Sequence, residues 1–102
     1  MIKLKDLQML TEDKGMTLLN GNIISYSNGY QVATEGKETT SARIALKMIK
    51  EYNGNCGIWY SKNVFYIDKS HHVEDRETAI AIGINHNQQS ILDWSTMELI
   101  WL

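Results

Sequence analysis

Gly57-Ile58-Trp59-Tyr60-Ser61-Lys62-Asn63-Val64-Phe65-Tyr66-Ile67-Asp68 is the stretch that decides the fold. Two runs rich in aromatic and β-branched residues flank Lys62-Asn63, which reads as a two-residue hairpin turn. Such a turn sets Ser61 opposite Val64, Tyr60 opposite Phe65 and Ile58 opposite Ile67. Directly opposed residues share a face of the sheet. One face is therefore predicted to hold Ile58, Tyr60, Phe65 and Ile67, and the other Trp59, Ser61, Val64, Tyr66 and Asp68.

The same pattern extends in both directions. After the hairpin, Asp75 is a natural N-cap for a helix carrying Ala79, Ile80, Ile82, Gly83 and Ile84, buried over most of its circumference and closed by His86-Asn87. Before it, Ser41 caps a helix running to Asn53, with Ala42, Ala45, Leu46, Ile49 and Tyr52 as its apolar stripe. Further upstream, Ile23 to Ser27 and Tyr30 to Thr34 flank Asn28-Gly29, the strongest short hairpin signal. Leu4, Leu7 and Leu10 suggest a short first helix ending near Lys14-Gly15. Ser90 to Trp94 and Glu98 to Leu102 read as a final strand pair.

Units at an offset of 34 residues align Ile24, Ile58 and Leu92, then Tyr26, Tyr60 and Trp94, and the caps Ser41 and Asp75. The expectation is one α+β domain over residues 1–102. Its mostly antiparallel sheet of about six strands runs in ββα-ββα-ββ order, with two main helices on one face and a short N-terminal helix. Carrying the hairpin register to the outer units places Ile24, Tyr26, Gln31, Ala33, Leu92, Trp94, Leu99 and Trp101 on the helix-covered face. The opposite face then collects Tyr30, Val32, Trp59, Tyr66 and Ile100 with Ser25, Asp68, Asp93 and Glu98. This is a large aromatic surface for a sheet face turned to solvent. It reads either as covered by the N-terminal segment or the loop at Met16 to Leu19, or as a surface for a partner or a second copy.

Composition narrows the function classes. Ten Lys and Arg against twelve Asp and Glu give a net charge of −2, which offers no polybasic footprint for nucleic acid. No apolar run approaches the ~20 residues of a membrane span, and the start of the chain does not read as a secretory signal. The lone Cys56 has no internal disulfide partner, which fits a reducing, cytoplasmic setting. Beside two glycines it reads as a small buried thiol rather than a nucleophile. Ser70-His71-His72 invites a metal reading with Asp68, Asp75 or His86. Adjacent histidines on an extended segment diverge, however, and no second ligand pair follows, so no metal, cofactor or catalytic residue is expected. Arg43, Lys47 and Lys50 form a basic stripe on the first main helix, which would touch nucleic-acid backbone only weakly.

Gly54-Asn55-Cys56-Gly57-Ile58-Trp59, Phe65-Tyr66-Ile67-Asp68 and Asn87-Gln88-Gln89-Ser90-Ile91-Leu92-Asp93-Trp94-Ser95 resemble a group of small proteins from phages and conjugative elements of Gram-positive bacteria. Gly15 to Gly21 and Gly29 to Ala33 extend the resemblance to about residues 15–102. It implies the company of accessory proteins that inhibit host defence, anti-CRISPR proteins among them, and it transfers no interface residue. The combined expectation is a non-enzymatic inhibitor in the host bacterial cytoplasm. It would bind a bacterial defence protein such as a CRISPR-associated nuclease through Tyr30, Trp59, Tyr66, Asp68, Asp93 and Glu98. The alternative is a nucleic-acid-binding accessory protein whose sheet aromatics stack on bases.

Overall fold

Lys62 and Asn63 both adopt left-handed backbone, with φ of 52° and 64°, and the hairpin around them has the register its alternation predicts. The computed structural model describes residues 1–102. In chain order it comprises α1 (Leu4–Gln8), β1 (Lys14–Leu19), β2 (Asn22–Ile24), β3 (Tyr30–Thr39), α2 (Ala42–Glu51), β4 (Asn55–Ser61), β5 (Val64–Val73), α3 (Arg76–Asn85), β6 (Ser90–Asp93) and β7 (Glu98–Trp101). All seven strands join one antiparallel sheet in the order β2-β1-β4-β5-β3-β6-β7. The protein is thus α+β, and its helices pack on one side of the sheet.

Both main helices start where their caps lie. Ser41 Oγ accepts from the Ile44 amide at 3.3 Å. The Asp75 carboxylate accepts from the Thr78 amide at 2.8 Å and from the Thr78 hydroxyl at 2.6 Å. Each cap satisfies an amide left without a partner in the first turn. Asn87, at φ 56°, ends α3 in the left-handed region, and Gly54, at φ 92°, turns the chain from α2 into β4.

The core lies between sheet and helices in two parts. Under α1 and α2, Leu7, Ala45 and Ile49 pack on Leu18, Cys56, Ile58, Phe65 and Ile67. Under α3, Ala79 meets Val32 and Ile91. Ile84 faces solvent, so α3 is less enclosed than its composition predicts. The chain's start is anchored as well: the Ile2 amide donates to the Gly21 carbonyl, and the Ile2 side chain is buried.

The 34-residue offset survives in a different form. β3 with α2 and β5 with α3 are displaced by that interval at both ends of both elements. The two long strands lie side by side at the middle of the sheet. The aligned aromatics do not correspond, however. Tyr60 lies in β4, whereas Tyr26 and Trp94 lie outside strands.

Three local expectations are overturned. Lys14-Gly15 opens a strand instead of ending a helix, and Met16 to Leu19 sits within the sheet between β2 and β4 rather than across it. Asn28-Gly29 does not close a hairpin. β2 pairs with β1, while β3 pairs with β5 and β6. A ten-residue β5 offers ten-residue β3 far more ladder than three-residue β2 could, and the longer pairing prevails. Ser25 to Gly29 therefore crosses the sheet, held where the Trp94 amide donates to the Gly29 carbonyl at 2.9 Å.

This rearrangement sorts the faces. β3 carries an extra residue, Thr34, between the pairs Ala33–Ser70 and Glu35–Lys69. A bulge of this kind shifts side-chain parity by one. Tyr30 and Val32 consequently point to the helix side, Val32 with no exposed surface. β6 follows β3, with Gln31 opposite Leu92, so Ile91 and Ile100 join Val32 under α3. Leu92, Trp94, Leu99 and Trp101 go to the open side, contrary to the sequence reading.

Candidate functional site

The open side is concave. β2 and β7 are the two edges of the sheet, yet Ile24 from one and Leu99 from the other line a single cavity of about 760 Å³. A flat sheet would hold β2 and β3 four strand spacings apart, ~19 Å. Six residue steps from Ile24 to Tyr30 would cover it only if nearly fully extended, and the curl of the sheet lets this bent segment cross without that.

One end of the groove is built by the crossing segment. The Tyr26 ring stacks on His72 at 3.8 Å between centroids and meets Trp94 edge-on at 5.5 Å. Its hydroxyl donates to Asn55 Oδ1 at 2.9 Å. His72 Nε2 lies 2.7 Å from the Asn28 carbonyl oxygen. Behind this corner the Trp94 indole N–H donates to Gln31 Oε1 at 3.2 Å, and the Gln31 amide donates to the Ser70 hydroxyl. Ser70 is buried, and this bond satisfies it.

The central floor is nearly bare. Trp59 stands directly opposite Tyr66, and Gly57 opposite Asp68. Both aromatic rings are exposed, Trp59 at 46%. The Trp59 ring leans over Gly15, where an added Cβ would come within 2.9 Å of it. Asp68 leans the other way, over Gly36 on β3. Above Gly57 there is open space, with nothing within 4 Å of where a Cβ would stand. Among the residues lining the cavity, Asp68 alone carries charge.

Burial raises the Asp68 carboxyl above the ordinary aspartate range. A group that holds its proton more tightly folded than unfolded costs stability above its folded pKa, and the cost vanishes as pH falls through that value. Asp68→Asn is therefore expected to raise Tm at neutral pH. The gain should shrink toward zero in acid, below the ordinary carboxylate range near ~4. Thermal melts at the two pH values check this. A lower Tm at neutral pH would mean that the carboxylate has a stabilising partner.

The six residues singled out from sequence divide evenly between the two sides. Trp59, Tyr66 and Asp68 share the open side, where Trp59 and Asp68 line the groove and Tyr66 lies on the same face beside it. Tyr30 packs against the Val32 cluster on the helix side. Asp93 and Glu98 oppose each other on that same side. Asp93 shapes the β6–β7 turn, accepting from the Ser95 amide at 3.0 Å and its hydroxyl at 2.7 Å, bonds that lower its pKa. Gln31, Leu92, Trp94 and Leu99 belong to the groove but were assigned to the core face. Their mutual grouping by alternation was correct, and only the side was reversed.

His71 and His72 diverge across β5. His71 sits opposite Val32, while His72 sits under Tyr26. The Cys56 thiol is buried, and that burial, with the Asp68 charge adding to it, pushes its pKa up to about 12. It therefore stays protonated at neutral pH. No helix is long and apolar enough to cross a membrane. Comparison with protein-family models, curated proteins and solved structures gives no match, so the groove is read from its own chemistry.

Proposed function

We propose that this chain is a non-enzymatic protein of a phage or mobile element that inhibits a bacterial defence protein by binding it, a CRISPR-associated nuclease being the target class. The groove would take a basic side chain of that protein, flanked by apolar residues. The observation that carries this reading is Asp68, a half-buried carboxylate in an apolar concavity beside open space, on the sheet face that also carries the exposed rings of Trp59 and Tyr66. An arginine fits such a place in three ways. Its planar guanidinium pairs with a carboxylate, stacks on aromatic faces, and is more weakly hydrated than a lysine ammonium. Proteins that hold nucleic acid display arginines for phosphate, and a groove of this chemistry would occupy one. The phage setting rests on the resemblance of residues 15–102.

The nucleic-acid alternative has less support. Arg43, Lys47 and Lys50 lie on α2, across the sheet from Trp59 and Tyr66, so one strand could not reach both sets together. The groove's single charge would also repel phosphate.

The test is plasmid interference by a CRISPR nuclease in a Gram-positive host, with and without the chain. Wild type is expected to restore transformation at least tenfold. Trp59→Ala with Tyr66→Ala, folded by circular dichroism, is expected to abolish the effect, since aromatic anchors dominate interfaces. No protection by wild type would sink the proposed target class. Full protection by the folded double variant would remove the groove from the mechanism. Binding to single-stranded oligonucleotide at low salt would instead favour the alternative.

A further inference from the structure

We propose that β7 pairs antiparallel with β7 of a second copy, about a two-fold axis through Ile100, to give a fourteen-stranded sheet. β7 is an edge strand, with β6 on one side and nothing on the other. Of the devices that usually block an open edge it has only its short length and one charge, Glu98 at its start: Glu98-Leu99-Ile100-Trp101 has no proline, no lysine and no bulge. Beyond Glu98, its exposed side chains are large and apolar, Trp101 at 70% and Leu99 at 52%.

Backbone direction selects the register. The Leu102 amide donates to the Gln89 carbonyl, so residue 102 points toward β6. Alternation then aims the amide and carbonyl groups of Leu99 and Trp101 outward. Opposed residues in an antiparallel ladder share a face, so a two-fold axis must pass through a residue position. With the axis at Ile100, Leu99 of each copy meets Trp101 of the other as a hydrogen-bonded pair, twice over. Ile100 meets its own equivalent, and Glu98 meets Leu102. No like charges face each other, and the two aliphatic–aromatic pairs are favourable cross-strand partners. An axis at Leu99 would require Met97 opposite Trp101, but Met97 has φ 59° and lies in the turn, outside the strand. It would also set Glu98 against Ile100.

The axis stands perpendicular to the sheet, so both grooves open on the same side of the dimer. The other edge offers no equal alternative, because β2 has only three residues. Pairing of β2 with β7 would be head-to-tail and would propagate into filaments instead of closing. Two short strands with two tryptophans and two leucines bury less than the ~1,200 Å² total of a standard interface. The association should therefore be weak and depend on concentration.

Sedimentation of the full chain from micromolar to millimolar is expected to show a monomer–dimer equilibrium. Trp101→Lys, with an unchanged circular dichroism spectrum, should weaken dimerisation at least about tenfold, as for an interface hot spot. Leu99→Lys should act alike if the tryptophan change perturbs folding. Under mild oxidation, Ile100→Cys should form a covalent dimer and Leu99→Cys should not. Monomer throughout the range, cross-linking at position 99 in place of 100, or growth into filaments would each overturn the proposal. None of these outcomes depends on the groove's ligand.

Discussion

Val32→Asp is expected to unfold the protein at room temperature, while Tyr66→Asp leaves it folded. Strict alternation would put both positions on the open face, where either change would be tolerated. The bulge at Thr34 instead turns Val32 beneath α3, fully enclosed with Ala79 and Ile91. A carboxylate there would have to shed its water among apolar side chains, a cost of several kcal/mol. A domain of this size has only ~5–15 kcal/mol in total. Tyr66 is exposed on the open face, so an acid there keeps its hydration. Circular dichroism and urea titration of the two variants check the pair. A folded Val32→Asp would show that β3 faces the other way.

Gly15→Val is expected to destabilise by about 2–3 kcal/mol, in the range of overpacked sites, whereas Gly57→Ala is expected to be neutral or slightly stabilising. Both glycines lie on the open face, on neighbouring strands, in extended backbone. What differs is the space above them. At Gly15 a Cβ would clash with the Ile58 carbonyl oxygen, and backbone cannot step aside as a side chain can. β1 would have to lift away from β4, and the Trp59 ring on β4 would have to swing aside. At Gly57 nothing stands in the way. Alanine also has less chain entropy to lose than glycine, a gain of ~0.5–1 kcal/mol in a strand. The same methyl would fill part of the space beside Asp68, so Gly57→Ala should weaken partner binding without harming the fold. Denaturant unfolding of both variants, with the interference assay on the second, separates the two effects. Equal stability losses would show that the floor is evenly packed.

The sequence made local structure legible wherever neighbouring segments decide it. The Lys62-Asn63 turn, its cross-strand pairs and the caps Ser41 and Asp75 all form where their chemistry requires. Alternation within each strand was equally readable. Leu92 and Leu99 face each other, as do Tyr60 and Phe65. Relations between distant strands were not readable in this way. β3 takes β6 as a neighbour across some sixty residues, and no turn signal reports such a pairing. Nor is a bulge written in composition: Thr34 is an ordinary strand residue. If it were absent, Ala33–Ser70 and Glu35–Lys69 would be consecutive pairs of an unbroken ladder. As to faces, Trp59, Tyr66 and Asp68 do lie on one side of the sheet, while Tyr30, Asp93 and Glu98 lie on the other. The residues that complete the concavity, Gln31, Leu92, Trp94 and Leu99, were set on its far side.

The central position of β3 also governs how the chain can fold as it is made. Both of its neighbours lie downstream, so on the ribosome it must wait for Val64–Val73 and then Ser90–Asp93 to emerge. Until then a ten-residue strand has two open edges. Its second half, Glu35-Gly36-Lys37-Glu38-Thr39, is charged and carries a glycine, a composition that resists pairing with another nascent chain. Local hairpins can close in microseconds, but the sheet's centre is assembled from long-range contacts and must close later. The polar half of β3 thus keeps the unfinished polypeptide soluble during the interval in which its middle has no partner.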